Sequence, residues 1–164
     1  MKAPIKFLDR FIPQILDGSK TQTRRVLKPQ PEARWNHVGG SAFCVGLHDR
    51  GDDCDGDVVL SCPYGNFGDR IEIARHHDIL LEIVAVRVER LQDISEDDAR
   101  AEGIAYSERF EGYCIGEAEH FNGHDPRQSF FSLWEAINGA NSVAANPWAW
   151  VIEFRRVETT EDER

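Results

Sequence analysis

The stretch Ile79-Leu80-Leu81-Glu82-Ile83-Val84-Ala85-Val86-Arg87-Val88-Glu89-Arg90 decides the fold. It is dense in Ile, Val and Leu, and Val84, Val86 and Val88 recur with the period of two that sets residues on one face of a β-strand. A second such stretch lies near the C-terminus, where Trp148, Trp150, Ile152 and Phe154 alternate with Ala149, Val151, Glu153 and Arg155. Shorter runs agree with them. Ile71 and Ile73 alternate with Arg70, Glu72 and Ala74, and Val58-Val59-Leu60 reads as a short strand.

Helices are fewer. Phe11 to Gly18 is a short one, with Phe11 and Ile15, and Ile12 and Leu16, four apart, Pro13 in the first turn and Gly18 past the end. Ser95 caps a second, with Asp98 three residues on in a capping-box pattern and Gly103 at its close. Asp125-Pro126 opens a third, whose core face is Phe130, Leu133, Trp134 and Ile137, and Asn138-Gly139 ends it. Several separated strands with few helices predict an α+β chain, a small mixed β-barrel with a few peripheral helices rather than repeated βαβ units. One domain is expected over residues 1–157. The glycine-rich stretch 32–57 reads as a long loop insertion, 105–125 as irregular, and the charged residues 158–164 as a disordered tail.

Bulk properties narrow the partners. With 164 residues, 41% hydrophobic and 29% charged, the chain suits one globular domain. No apolar run reaches membrane-spanning length and the N-terminus has no signal-peptide core, so a cytoplasmic protein without a membrane partner is expected. The net charge of −10 opposes sequence-blind duplex DNA binding. It is unevenly spread, however. Residues 1–34 hold eight bases against three acids, or +5, and the remainder eleven against twenty-six, or −15. A basic segment on an acidic body can take an anion locally.

Metal and cofactor sites are not expected. Cys44, His48, Cys54 and Cys62 offer soft ligands at irregular spacings, and Cys44, Cys54, Cys62 and Cys114 form no C-x-x-C pair. In the cytoplasm the thiols stay reduced. His76-His77 points to opposite faces of a strand, and His120 and His124 read as surface residues. Trp148 and Trp150 read as core by their alternation. Trp35 and Tyr64, in loops, are better placed to stack on a base.

Gly18-Ser19-Lys20-Thr21-Gln22-Thr23-Arg24-Arg25 concentrates the chemistry: one ammonium, two threonine hydroxyls, an amide and two guanidiniums. Lys and Arg donate charge-assisted hydrogen bonds to phosphate or carbonyl oxygens. A threonine hydroxyl becomes a nucleophile when a base takes its proton, and a lysine is that base only when neutral. Burial, with Arg24 and Arg25 nearby, pushes in that direction. Read from the residues alone, the segment is equally a helix cap running into a solvated loop.

Gly18-x-Lys20-x-x-x-x-Arg25 resembles the signature of the ASCH-domain family. Cys62-Pro63-Tyr64-Gly65 with Gly68-Asp69, and Asn146-Pro147-Trp148 with Val151-Ile152-Glu153-Phe154, resemble the longer phage and prophage members. The resemblance implies a PUA-like barrel that binds RNA or modified nucleosides. Thr23 stands where many members have glutamate, as in a branch similar to small bacterial amidohydrolases that act on cytidine acylated at its exocyclic amine. For that branch the resemblance implies a catalytic lysine, threonine and glutamate, which map onto Lys20, Thr23 and Glu102, with Glu82, Glu89 or Glu72 as other choices for the acid. Arg25, Arg24, Gln22 and Asp69 would contact substrate. In the longer members a tryptophan and an acid follow Gly68-Asp69, whereas this chain has Ile71-Glu72-Ile73-Ala74-Arg75. Three functions stay open: an amidohydrolase of acylated cytidine, a non-catalytic module for single-stranded RNA or a modified nucleoside, and a ribonuclease.

Overall fold

The computed structural model describes residues 4–30, 34–39, 42–46 and 58–158. Among these, the α-helices are α1 (Ile12–Asp17), α2 (Glu96–Ala101) and α3 (Pro126–Asn138). The strands are β1 (Gln22–Val26), β2 (Arg34–Gly39), β3 (Ala42–Gly46), β4 (Val58–Ser61), β5 (Arg70–Ile73), β6 (His76–Arg90), β7 (Ala105–Ser107), β8 (Gly112–Ile115), β9 (Glu119–Asn122) and β10 (Trp148–Val157). The architecture is α+β, a curled half-barrel of antiparallel sheet with few helices, as the strand patterning predicts.

The two alternating stretches form the centre. β10 lies between β1 and β6, and β5 closes the sheet in the order β1-β10-β6-β5. Register fixes which side chains share a face. Trp150 stands opposite Val88 and Arg25, and Ile152 opposite Val86 and Thr23. An irregularity in the ladder sets Glu153 against Ala85 and Phe154 against Ile83, so Val84 is the extra residue. Ile79, Leu81 and Ile83 therefore face the core before it and Val86 and Val88 after it. The expected common face of Val84, Val86 and Val88 breaks at this bulge, because one added residue reverses strand parity.

The core face gathers Ile71, Ile73, Ile79, Leu81, Ile83, Val88, Trp150, Ile152 and Phe154 with Phe7, Phe11 and Ile15 from the N-terminal segment. Each large side chain so buried contributes about 1.5–3 kcal/mol of transfer free energy. α3 adds Phe130, Leu133 and Trp134, but Ile137, expected on its core face, is 54% exposed. Two expected loops contain strands. Within 32–57 lie β2 and β3, paired with each other and with β4, and within 105–125 lie β7, β8 and β9. Their glycines and short length hid the alternation. The tail from residue 159 lies outside the described residues.

Candidate functional site

The peptide from Gly18 to Arg25 is not a solvated loop. α1 ends at Gly18 in the left-handed conformation (φ 82°) that glycine adopts without cost. The chain then turns into β1, whose Gln22, Thr23 and Arg24 are buried, as is Lys20 just before it. Two main-chain bonds fix the turn: Lys20 N–H donates to Gln14 O (3.0 Å) and Thr21 N–H to Ala101 O (2.9 Å). Gln14 Nε2 donates to Gly103 O (2.9 Å), tying α1 to the end of α2. At Gly103, with φ 108°, a Cβ would sit 2.6 Å from Gln14 Oε1. The start of β1 and the end of α2 are thus held together, which brings Lys20 to Glu102.

Strand alternation divides β1 between the two faces of the sheet. Thr23 and Arg25 share a face with Trp150 and Ile152. Gln22 and Arg24 share the other with Val151, Glu153, Arg87 and Glu89. A cavity of about 820 Å³ lies on the Thr23 side, and its walls include Lys20, Thr23, Arg25, Glu102, Trp150 and Phe130. Arg24 also reaches the wall near Glu102. Tyr64 lines the cavity as well, whereas Trp35 carries no side-chain description.

Lys20 and Glu102 form a buried pair. Lys20 Nζ lies 3.1 Å from Glu102 Oε2, 2.6 Å from Glu102 O and 2.8 Å from Gln22 O. Phe11 and Phe7 place their rings 4.7 Å and 5.9 Å from the same nitrogen. Burial drives the Lys20 pKa below the ordinary lysine value. Glu102 opposes the shift, and Arg25 and Arg24 add to it. Glu102 Oε1 is a buried acceptor without a hydrogen bond among the described residues, although Arg24 Nη1 stands 3.5 Å away. All three Nζ hydrogen bonds go to Gln22 and Glu102, and none goes to Thr23.

The opposite face is organised by α2. Ser95 caps the helix, its Oγ accepting from Asp98 N–H at 3.0 Å. The Asp98 side chain does not return to complete a capping box. It accepts from Gln22 Nε2 (3.1 Å), Arg24 Nη2 (3.1 Å) and Arg87 Nη2 (2.6 Å). Arg24, fully buried at its side chain, also reaches Glu89 at 2.7 Å and donates to Gln22 Oε1. Arg87 donates to Glu89 (2.8 Å) and Glu153 (2.5 Å). Burial alone would raise Asp98, but hydrogen bonds from Gln22 and Arg24 and the charges of Arg87 and Arg24 outweigh it and hold the carboxyl below its usual range.

The expected site residues therefore separate. Lys20, Thr23, Arg24, Arg25 and Glu102 line the cavity. Gln22 belongs to the opposite face. Asp69 closes the Asn66–Asp69 turn by accepting from Asn66 N–H at 2.6 Å, and it is not on the cavity wall. Of the other acids considered, Glu89 serves the Arg24 network, Glu72 faces His77 (2.9 Å) and Glu82 pairs with Arg155 (2.7 Å). His120 meets Ser132 at 2.8 Å. The sequence reading took Asp98 only as part of a helix cap and gave Arg87 no role. The opposite charges of Arg87 and Glu89 inside an apolar strand were the available signal.

Of the soft ligands, His48 and Cys54 lie outside the described residues, and so does the side chain of Cys44; Cys62 is buried. Among the described residues no cluster of three or more His, Cys, Asp or Glu is placed to hold a metal. No described helix is long and apolar enough to cross a membrane. No family model matches the chain, and no curated protein or solved structure matches it.

Proposed function

We propose that the cavity binds a modified nucleoside and hydrolyses the acyl amide on the exocyclic amine of cytidine, in the cytoplasm, as the ASCH resemblance implies. The observation that carries this reading is the buried Lys20–Glu102 pair on the wall of a cavity that also receives Thr23. A buried ion pair is costly unless it is fully satisfied, and here one carboxylate oxygen has no hydrogen bond among the described residues, with Arg24 Nη1 at 3.5 Å. Transfer of one proton from Nζ to Oε2 converts the pair to amine and carboxylic acid without moving a heavy atom far.

The chemistry follows from that transfer. Neutral Lys20 takes the proton of Thr23 Oγ1, and the oxygen attacks the acyl carbon. As the C–N bond breaks, protonated Glu102 delivers its proton to the leaving amine, and cytidine departs. Water then cleaves the threonine ester, with the pair again handling the proton, to release the carboxylic acid. Trp150, Phe130 and Tyr64 supply apolar walls for a planar base.

Binding without chemistry has one observation in its favour. Three acceptors around Nζ satisfy a charged ammonium completely. Incubation with a panel of exocyclically acylated cytidines separates the two. Wild type should release free cytidine, and Lys20→Met should not. Binding of the same compounds with no release of cytidine from any of them would reject hydrolysis.

A further inference from the structure

The cavity mouth differs in charge from the rest of the molecule. The chain has 29 acids against 19 bases, yet the residues lining the cavity include six cations and one carboxylate, Glu102. Lys20 and Arg24 are the buried two, already engaged by Glu102, Glu89 and Asp98. Lys6, Lys28 and Arg75 are exposed and so stand at the opening, with Arg25 half-buried beside them.

Among the described residues these outer charges are nearly uncompensated. Arg75 has Asp9 at 3.2 Å, but both are largely exposed and solvent weakens such a pair. Arg25 donates to the main-chain oxygens of Lys6 (2.5 Å) and Arg24 (3.1 Å), contacts that fix its guanidinium without neutralising it. Its guanidinium also lies over the Phe7 ring, 5.4 Å from the centroid. Among the described residues, Lys6 and Lys28 meet no carboxylate. Charges of one sign around a low-dielectric opening focus an attractive field on anions, and a held guanidinium with flanking ammoniums matches phosphate oxygens.

We infer that the ligand carries a phosphate, seated at the mouth by Lys6, Arg25 and Lys28 while its base points toward Lys20 and Glu102. This rests on the nucleoside reading above and narrows it to a nucleotide. The phosphate is either the monoester of a free nucleotide or a diester of an RNA strand.

Calorimetric titration of the full chain at low salt tests it with cytidine, cytidine 5′-monophosphate and a short oligocytidylate. The monophosphate should bind about tenfold or more tightly than cytidine. In Lys6→Glu/Lys28→Glu that advantage should vanish while cytidine affinity and thermal midpoint hold. Oligomer binding as tight as or tighter than the monophosphate, with a steep salt dependence, would assign the diester, and weaker oligomer binding would assign the monoester. Equal affinity for cytidine and its monophosphate would overturn the phosphate seat while leaving the nucleoside pocket standing. Failure of all three probes to bind would overturn both.

Discussion

Thr23 and Arg24 are neighbours in sequence, equally buried, and lie on opposite faces of β1. On the Arg24 face the charges are mutually paired, since Asp98, Glu89, Glu153 and Gln22 meet Arg24 and Arg87 within hydrogen-bonding distance, and Arg24 Nε alone of that guanidinium has no hydrogen bond among the described residues. On the Thr23 face a lysine and a glutamate share a cavity, and one buried carboxylate oxygen has no hydrogen bond among the described residues. Buried polarity thus comes in two kinds here. One pairs several carboxylates with two guanidiniums and holds α2 to the sheet. The other stays open toward a space that a ligand can fill.

The largest test of this contrast is Arg24→Met. It leaves Glu89 and Asp98 facing a buried gap, and loss of one partner of a buried ion network costs about 3–5 kcal/mol. Urea unfolding should show a lower midpoint and a loss of unfolding free energy of that size. Thr23→Val, one residue away, should shift stability by about 1 kcal/mol or less. It should instead lower release of cytidine from its acylated form on the order of 10⁶-fold, the scale expected when the nucleophile of a covalent route is lost. Equal stability losses at both positions would erase the distinction between the faces.

That distinction was half legible in the sequence. The density of donors from Lys20 to Arg25 marked the segment, and alternation in Trp148–Phe154 marked the sheet that carries it. Burial of the segment was not legible, because a run of Lys, Thr, Gln and Arg has the composition of surface. Only pairing with β10 and coverage by α2 bury it, and those are long-range facts. Asp98 was misread for a related reason, since its spacing from Ser95 fits a capping box equally well. Val84 was misassigned because a bulge has no signature in a uniformly apolar run. The strands of 34–46 and 105–122 were hidden by glycines that serve turns between short β-segments.

A smaller effect comes from pH, and the two faces act at opposite ends of the scale. The Asp98 carboxyl is held below its ordinary range, so its contribution is present above the unfolded aspartate value and is lost as pH falls through the folded one. Lys20 is also depressed, but for a base this means that the unfolded chain holds the extra proton. Stability should therefore rise as pH climbs from the folded Lys20 value toward that of an unfolded lysine. Asp98→Asn should flatten the acid limb of a stability–pH curve and leave the alkaline limb. The double variant Lys20→Met/Glu102→Gln, which removes both charges of the pair, should do the reverse. A variant that alters both limbs would mean the faces are electrostatically one unit.

The smallest expected change, Ser95→Ala, touches both faces through α2. Among the described residues the hydroxyl accepts the Asp98 N–H alone, and loss of such a cap costs about 1 kcal/mol. Asp98 and Glu102 lie four residues apart on this six-residue helix and its C-cap, one serving each face. Fraying at the N-terminus would loosen Asp98 first. Glu102 is held separately, by Lys20 Nζ at its carbonyl and by the Thr21–Ala101 and Gln14–Gly103 bonds beside it. Stability should therefore fall while turnover stays within about threefold of wild type, less than the roughly tenfold that 1.4 kcal/mol lost at the reacting groups would produce. A parallel fall in turnover would place the catalytic geometry under control of the helix start, and the two kinds of buried polarity would then depend on a single cap.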